Sequence, residues 1–233
     1  MAMYKNQHYV PKCYLKNFSS DEAAKKLNIF LPETSKIILN ANLTDQCSKD
    51  YFYSKDSSVE HALSKLENKF SQTFSKLTAN EGSMEAEDIA ALRVSTVLQH
   101  IRTKGAVERS LGAVRFLKDF APEAEWNDIQ NNAPLGNLAE LQYYVDSVSD
   151  LKCIIVRNSS KMPFVTSDDP VLVLNKFYDL RIEKFSGTGF LQSGLIVLFP
   201  LNREYLFMMY DKDIYSISNV LGSILDIKND DKI

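Results

Sequence analysis

The chain is poor in the residues that mark several familiar classes of protein. Its 233 residues include three cysteines, eight glycines and seven prolines. Cys13, Cys47 and Cys153 are far apart and odd in number, and no Cys-x-x-Cys pair occurs. That pattern argues against a structural zinc site and fits a reducing, cytoplasmic setting. So few glycines and prolines argue against low-complexity sequence and long flexible linkers. Long apolar runs are missing too: stretches such as Leu195 to Leu201 are far too short to cross a bilayer, and the N-terminus carries no apolar run of the signal-peptide kind. Positive charge is not in excess. Lys and Arg number 27 against 30 Asp and Glu, a net charge of −3, so no global basic field points to nucleic acid, although a local patch could still do that work. There is no Gly-rich phosphate loop, no Gly-x-Ser-x-Gly elbow and no His-Glu-x-x-His.

What remains has the composition of a soluble globular protein, 45% hydrophobic and 24% charged, long enough to bury a sizeable core. Leu27 to Leu31 and Lys36 to Leu39 flank a Pro32–Ser35 turn and read as a hairpin within 27–43. Tyr51-Phe52-Tyr53 is a further short extended segment or an aromatic plug. From Ser58 the period changes: Val59, Leu63, Leu66, Phe70, Phe74 and Leu77 recur at helical spacing. That helix stops near Asn80-Glu81-Gly82. Ser83 is placed to cap the next, whose Glu85, Glu87 and Asp88 suit a positive helix start. Its Ile89, Ala90, Val94, Val97, Leu98 and Ile101 cover so much of its circumference that it reads as central. A third helix, or a pair, covers about 106–120 and ends at Pro122; 123–136 reads as a loop with weak helix, and 137–149 as helical again.

Beyond 150 the runs become strand-like: Cys153–Val156, Phe164–Thr166, Val171–Leu174, Gly194–Phe199 and Tyr205–Met209. Strands, a helical block, then strands without alternating helices is an α+β pattern. We expect one domain over 1–233, with a hairpin at 27–43, a central helical block over about 57–149 and a strand-rich part at 150–217. The helical block would pack on a mixed or antiparallel sheet built from N-terminal and C-terminal strands.

Three polar clusters stand out. The first is Gln7-His8-Tyr9, followed by Val10-Pro11 and the apolar anchor Tyr14, Leu15 and Phe18. Chain starts are ordinarily frayed, whereas this one has the composition of a segment tied into a core while presenting a histidine, the usual proton-transfer residue near neutral pH. The plain alternative is a histidine that only locks the N-terminus. The second is Gln99 and Arg102, three apart on one side of the central helix, with small Ala91 and Ser95 on the same side. Arg102 could grip a phosphate or carboxylate in a bidentate fork, or be a structural arginine paired with Glu60 or Glu67. His100 points elsewhere. The third is Ser167-Asp168-Asp169-Pro170 between two strand-like runs. It offers a carboxylate for a metal or a general base, or is a turn made by its own side chains.

Taken together, Gln7-His8-Tyr9-Val10-Pro11, Tyr14-Leu15 and Phe18, Tyr51-Phe52-Tyr53, Glu60, Glu67, Gln99, Arg102, Phe164, Ser167-Asp168, Pro170 and Pro200-Leu201 resemble a largely bacterial family of uncharacterised proteins. That family is recognised by an opening His-Tyr-Val-Pro motif and a later Ser-Asp-x-Pro motif. The resemblance covers most of the chain and implies that His8, Arg102 and Asp168 belong to one shared pattern. Members often continue further, so the charged tail from Lys228 to Lys232 suggests a short member.

Two functions follow. In the first, a cleft between helices and sheet makes a phosphodiester hydrolase or nuclease-like enzyme. His8 is its general acid or base, and Asp168 orients His8 or binds a metal. Gln99, Arg102, Tyr9 and Ser167 hold the substrate, and Glu67 and Asp168 are the candidates to ligate a divalent metal, should one be used. In the second, the same cluster recognises a nucleotide, a nucleic acid or a protein partner without turnover, with a bacterial defence or toxin role as one setting by analogy. A scaffold reading stands beside both, with Arg102 bridging Glu67 and Asp168.

Overall fold

A computed structural model describes residues 5–79, 84–120, 122–179, 189–217 and 224–227. Strand β1 (Asn6–His8) pairs with β4 (Ser48–Asp50), and β2 (Lys26–Leu31) with β3 (Lys36–Asn42). A short helix, α1 (Lys12–Leu15), follows Pro11, whose fixed φ suits a helix start. Then come α2 (Ser57–Ala79), α3 (Ala86–Arg102), α4 (Lys104–Val114), α5 (Glu123–Ala139) and α6 (Leu141–Ser147). The strand-rich part supplies β5 (Lys152–Asn158), β6 (Leu172–Leu174), the single turn α7 (Lys176–Asp179), β7 (Ile196–Pro200), β8 (Tyr205–Tyr210) and β9 (Ile224–Ile227).

The last five strands form one mixed sheet in the order β6-β7-β8-β5-β9, antiparallel except for β5 with β9. Its runs are apolar rather than alternating because both faces are covered. Ile155, Phe207 and Met209 face the main core with Leu77, Leu92 and Val97 of the helices. Ile154, Val156, Leu206 and Tyr210 face a second cluster on the other side. The class is α+β, with the helical block on one face of the sheet.

The expectation that N-terminal and C-terminal strands share a sheet needs correcting: β1–β4 and β2–β3 are separate two-stranded ribbons. The β2–β3 ribbon leaves Phe30, Ile37 and Leu39 exposed, and its strands extend no ladder to the main sheet. Phe164–Thr166 forms no strand. Pro163 and Pro170 bracket it, and Thr166 is engaged by a tyrosine instead. Residues 123–136, read as a loop with weak helix, are helical throughout, within α5. Pro122 precedes the helix, Glu123 and Glu125 suit its first turn, and buried Trp126 anchors it, which outweighs the internal Pro134. The Asn80–Gly82 stop, the Ser83 cap and the 228–232 tail lie outside the described residues; Glu85 is the residue that precedes α3. Among the described residues no helix is long and apolar enough to cross a membrane.

Candidate functional site

The opening motif is stitched to α3 and to the aromatic plug through its own backbone. Gln7 is buried. Its Oε1 accepts from the backbone N–H of Tyr53 at 2.7 Å and of Ser54 at 3.3 Å, and its Nε2 donates to the Ser54 carbonyl at 2.7 Å. From α3, Gln99 Nε2 donates to the Tyr9 carbonyl at 3.1 Å and Arg102 Nη2 to the His8 carbonyl at 2.8 Å. The three-residue spacing of Gln99 and Arg102 thus matches two successive carbonyls of an extended segment. Tyr14 completes the attachment. Its ring stacks on Phe199 at 5.0 Å, its hydroxyl donates to the Pro200 carbonyl at 2.8 Å, and the same oxygen meets Thr166 Oγ1 at 2.7 Å.

Arg102 is the hub. It is only 2% exposed. Nη1 donates to Glu67 Oε1 at 2.9 Å, and Nε donates to Tyr53 Oη at 3.0 Å. The Tyr53 hydroxyl returns a hydrogen bond to the Arg102 carbonyl at 3.2 Å. Burial opposes the charge, but Tyr53 and Glu67 more than offset it, so the guanidinium stays cationic. Glu60 lies one heptad before Glu67 on α2. Its Oε1 is buried without a hydrogen-bond partner among the described residues, and burial, then Glu67, pushes its pKa up. The space beside Arg102, Gln99, Glu67 and Ser95 amounts to about 20 Å³, room for a single water.

Arg102 and Gln99 were expected to hold a substrate anion. In the structure Gln99 Nε2 and three Arg102 nitrogens hold the chain's own groups. Glu67 is joined to Arg102, as the scaffold reading required, but Asp168 is not. The carboxylate that docks on the helices is its neighbour: Asp169 accepts from Thr103 Oγ1 at 2.7 Å and from the guanidinium of Arg109. Thr103 also caps α4, accepting from the Ala106 N–H at 3.0 Å. A Cβ at Gly105 would lie 2.6 Å from Asp169 Oδ2, so a larger residue there would force the Asp169 side chain to shift. Ser167 Oγ accepts from the Asp169 N–H at 3.1 Å, an ordinary Ser turn.

His8, Tyr9 and Asp168 lie outside this buried frame. His8 Nε2 sits 3.1 Å from the Thr44 carbonyl, which can only accept, so the proton is on Nε2 and the lone pair on Nδ1. Burial is the main cause that lowers the His8 pKa, with Lys12 and Arg102 adding to it. Tyr9 packs on Phe52 with ring centroids 5.1 Å apart. Asp168 is exposed and makes no side-chain hydrogen bond or ion pair among the described residues, and its charge is felt by Tyr9 and Cys47. Burial first, and then neighbours that include Asp168, push both the Tyr9 phenol and the Cys47 thiol up to about 12. Among the described residues no three His, Cys, Asp or Glu side chains gather as a metal-binding set.

The open space is elsewhere. A cleft of about 620 Å³ lies on the outer side of Tyr9 and Phe52, within the size range of small-molecule sites. One wall is β4 and the plug, with Ser48, Lys49, Asp50 and Tyr51; the other is α4 and α5, with Lys104, Glu108, Gln130, Asn131 and Pro134. Asp50 is paired with Lys5 at 2.9 Å, while no salt bridge among the described residues takes up Lys49 or Lys104. Lys55 lies over the Tyr51 ring at 5.8 Å. The residues bracketing β4 are held in the left-handed region, Cys47 at φ 52° and Tyr51 at φ 51°, a conformation uncommon for such side chains and concentrated at binding sites. Of this wall the sequence reading singled out Tyr9 and the Tyr51–Phe52 plug. Lys49, Lys104 and Gln130 carry no local motif, since three distant segments bring them together.

The chain belongs to a family described as Protein of unknown function (DUF4238), whose model matches residues 6–231. No curated protein and no solved structure matches it.

Proposed function

We propose that the protein is a binding module. Its motif residues build a rigid frame around Arg102, and its ligand, a small phosphorylated molecule bearing a ring, is received in the cleft beside Tyr9. One observation carries the reading: the side chains suited to grip an anion in the frame are spent on backbone carbonyls around a water-sized space, whereas the cleft is ligand-sized. The cleft combines aromatic surface from Tyr9, Tyr51 and Phe52 with the cations of Lys49 and Lys104 and the amides of Gln130 and Asn131. Aromatic faces stack on flat rings, and ammonium groups attract phosphate. The test is a backbone-amide NMR titration with a nucleotide panel, read together with the phosphorus spectrum of each ligand. Shifts grouped at Lys49, Tyr51, Lys104 and Gln130 with the ligand left intact are expected; shifts grouped at Arg102 instead, or a consumed ligand, overturn it.

A hydrolase reading has one observation in its favour. The His8 tautomer leaves a basic Nδ1 without a hydrogen-bond partner among the described residues, on a ring that is neutral near pH 7. Hydrolysis of an activated phosphodiester by the wild type but not by His8→Gln, with manganese or magnesium present, would favour it over the binding module.

A further inference from the structure

The wall of the cleft formed by α5 contains a defect with chemical meaning. Pro134 lies inside α5 and is one of the residues facing the cleft. In a regular helix the carbonyl of residue i accepts from the N–H of residue i+4. Residue 134 has no N–H, so the carbonyl of Gln130 lacks its regular helical donor, and Gln130 lines the same cleft. An acceptor denied its partner favours a ligand that brings a donor.

The same cleft also carries the opposite chemistry. Lys104 is the first residue of α4, where the helix start adds partial positive charge, and Lys49 stands on the facing strand. Glu108, one turn further along α4, also lines the cleft and offers a carboxylate to hydroxyl donors. The rings of Tyr9, Tyr51 and Phe52 line it as well.

Building on the binding-module reading, we propose that the ligand is a nucleoside 5′-phosphate whose base carries an exocyclic amino group. The phosphate lies between Lys49 and Lys104, the base lies against the tyrosine rings, and the amino group donates to the Gln130 carbonyl. The polymer is disfavoured, because net charge is −3 and the cleft, at about 620 Å³, has the volume of a small-molecule site.

The test compares pairs that differ at the amino position: AMP with IMP, and CMP with UMP, titrated calorimetrically against the full chain. The amino-bearing member of each pair should bind more tightly by roughly three- to tenfold, the value of one neutral hydrogen bond. Pro134→Ala restores the missing N–H and suits a helix, so it should fold at least as well. It should erase the preference within each pair. Lys104→Ala, at an exposed position, should weaken all four by about tenfold or more, as loss of a charge-assisted contact does. Equal binding within each pair, with Lys104→Ala still damaging, overturns the amino-group assignment and leaves the cleft as the ligand site. No binding by any of the four, or indifference to both Lys104→Ala and Lys49→Ala, overturns the cleft reading as well.

Discussion

Replacing Arg102 by methionine separates a structural hub from a ligand-gripping arginine. Methionine keeps most of the aliphatic length and removes the charge. The change leaves three groups without their donor: the Glu67 carboxylate, the His8 carbonyl and the Tyr53 hydroxyl oxygen. A hydrogen bond involving a charged group contributes about 1.5–3 kcal/mol, and stranding one partner of a buried pair typically costs about 3–5 kcal/mol. Glu67 retains 28% side-chain exposure and can recover some hydration, so the lower part of that range applies to it. The His8 carbonyl has no such relief, because the segment carrying it is pinned on either side by Gln7 and Tyr9. We therefore expect a loss of about 3–4 kcal/mol in urea unfolding and a fall in Tm on the order of 10 °C. Arg102→Lys should recover less than half, since an ammonium cannot address three acceptors in the plane of a guanidinium. The additional double variant Arg102→Met, Glu67→Leu should regain stability by removing the orphaned carboxylate. A loss below about 1 kcal/mol for Arg102→Met, with ligand binding abolished, would refute the structural assignment and return Arg102 to the role of anion clamp.

Two further outcomes follow from the same geometry. Gly105→Ala should cost about 1–3 kcal/mol, because its Cβ would meet Asp169 Oδ2 at 2.6 Å; in an Asp169→Ala background the same change should cost much less, and equal costs in both backgrounds would sink the argument. Burial, with Arg109 nearby, holds the His100 pKa down at about 4, so the folded state takes up a proton less readily than the unfolded chain at about 6.5. Stability should therefore be complete above pH 6.5, fall as pH drops toward 4 and level off below, by roughly 3 kcal/mol at most; His100→Gln should flatten that part of a urea-unfolding profile, and an unchanged slope would count against it.

The helices and most of the sheet were legible because burial writes itself into periodicity. Leu63, Phe70 and Leu77 repeat every seven residues along α2 and all are buried, so spacing alone finds them. α5 was illegible for the opposite reason: Pro134 and a polar run mask a helix whose anchor is one tryptophan. The parallel strand β9 was missed because its pairing with β5 joins residues some seventy positions apart, which local pattern does not record. The motif residues are a subtler case. Gln7, Gln99 and Arg102 stand out in the sequence, yet their chemistry is directed inward, at backbone groups that no side-chain pattern displays. Asp168 and Asp169 are adjacent and identical in type, and only the fold decides that Asp169 docks on Thr103 and Arg109 while Asp168 faces outward. A frame this polar is expensive to bury unless every acceptor is met, and that cost rewards keeping the whole set together. What it secures is position: Gln99 and Arg102 hold the backbone of His8 and Tyr9, and Gln7 holds the plug, so the rings of Tyr9 and Phe52 are set in place along the cleft. In the proposed binding module such a wall would spare binding the entropy of ordering those rings, and residues that never touch the ligand would then govern its affinity.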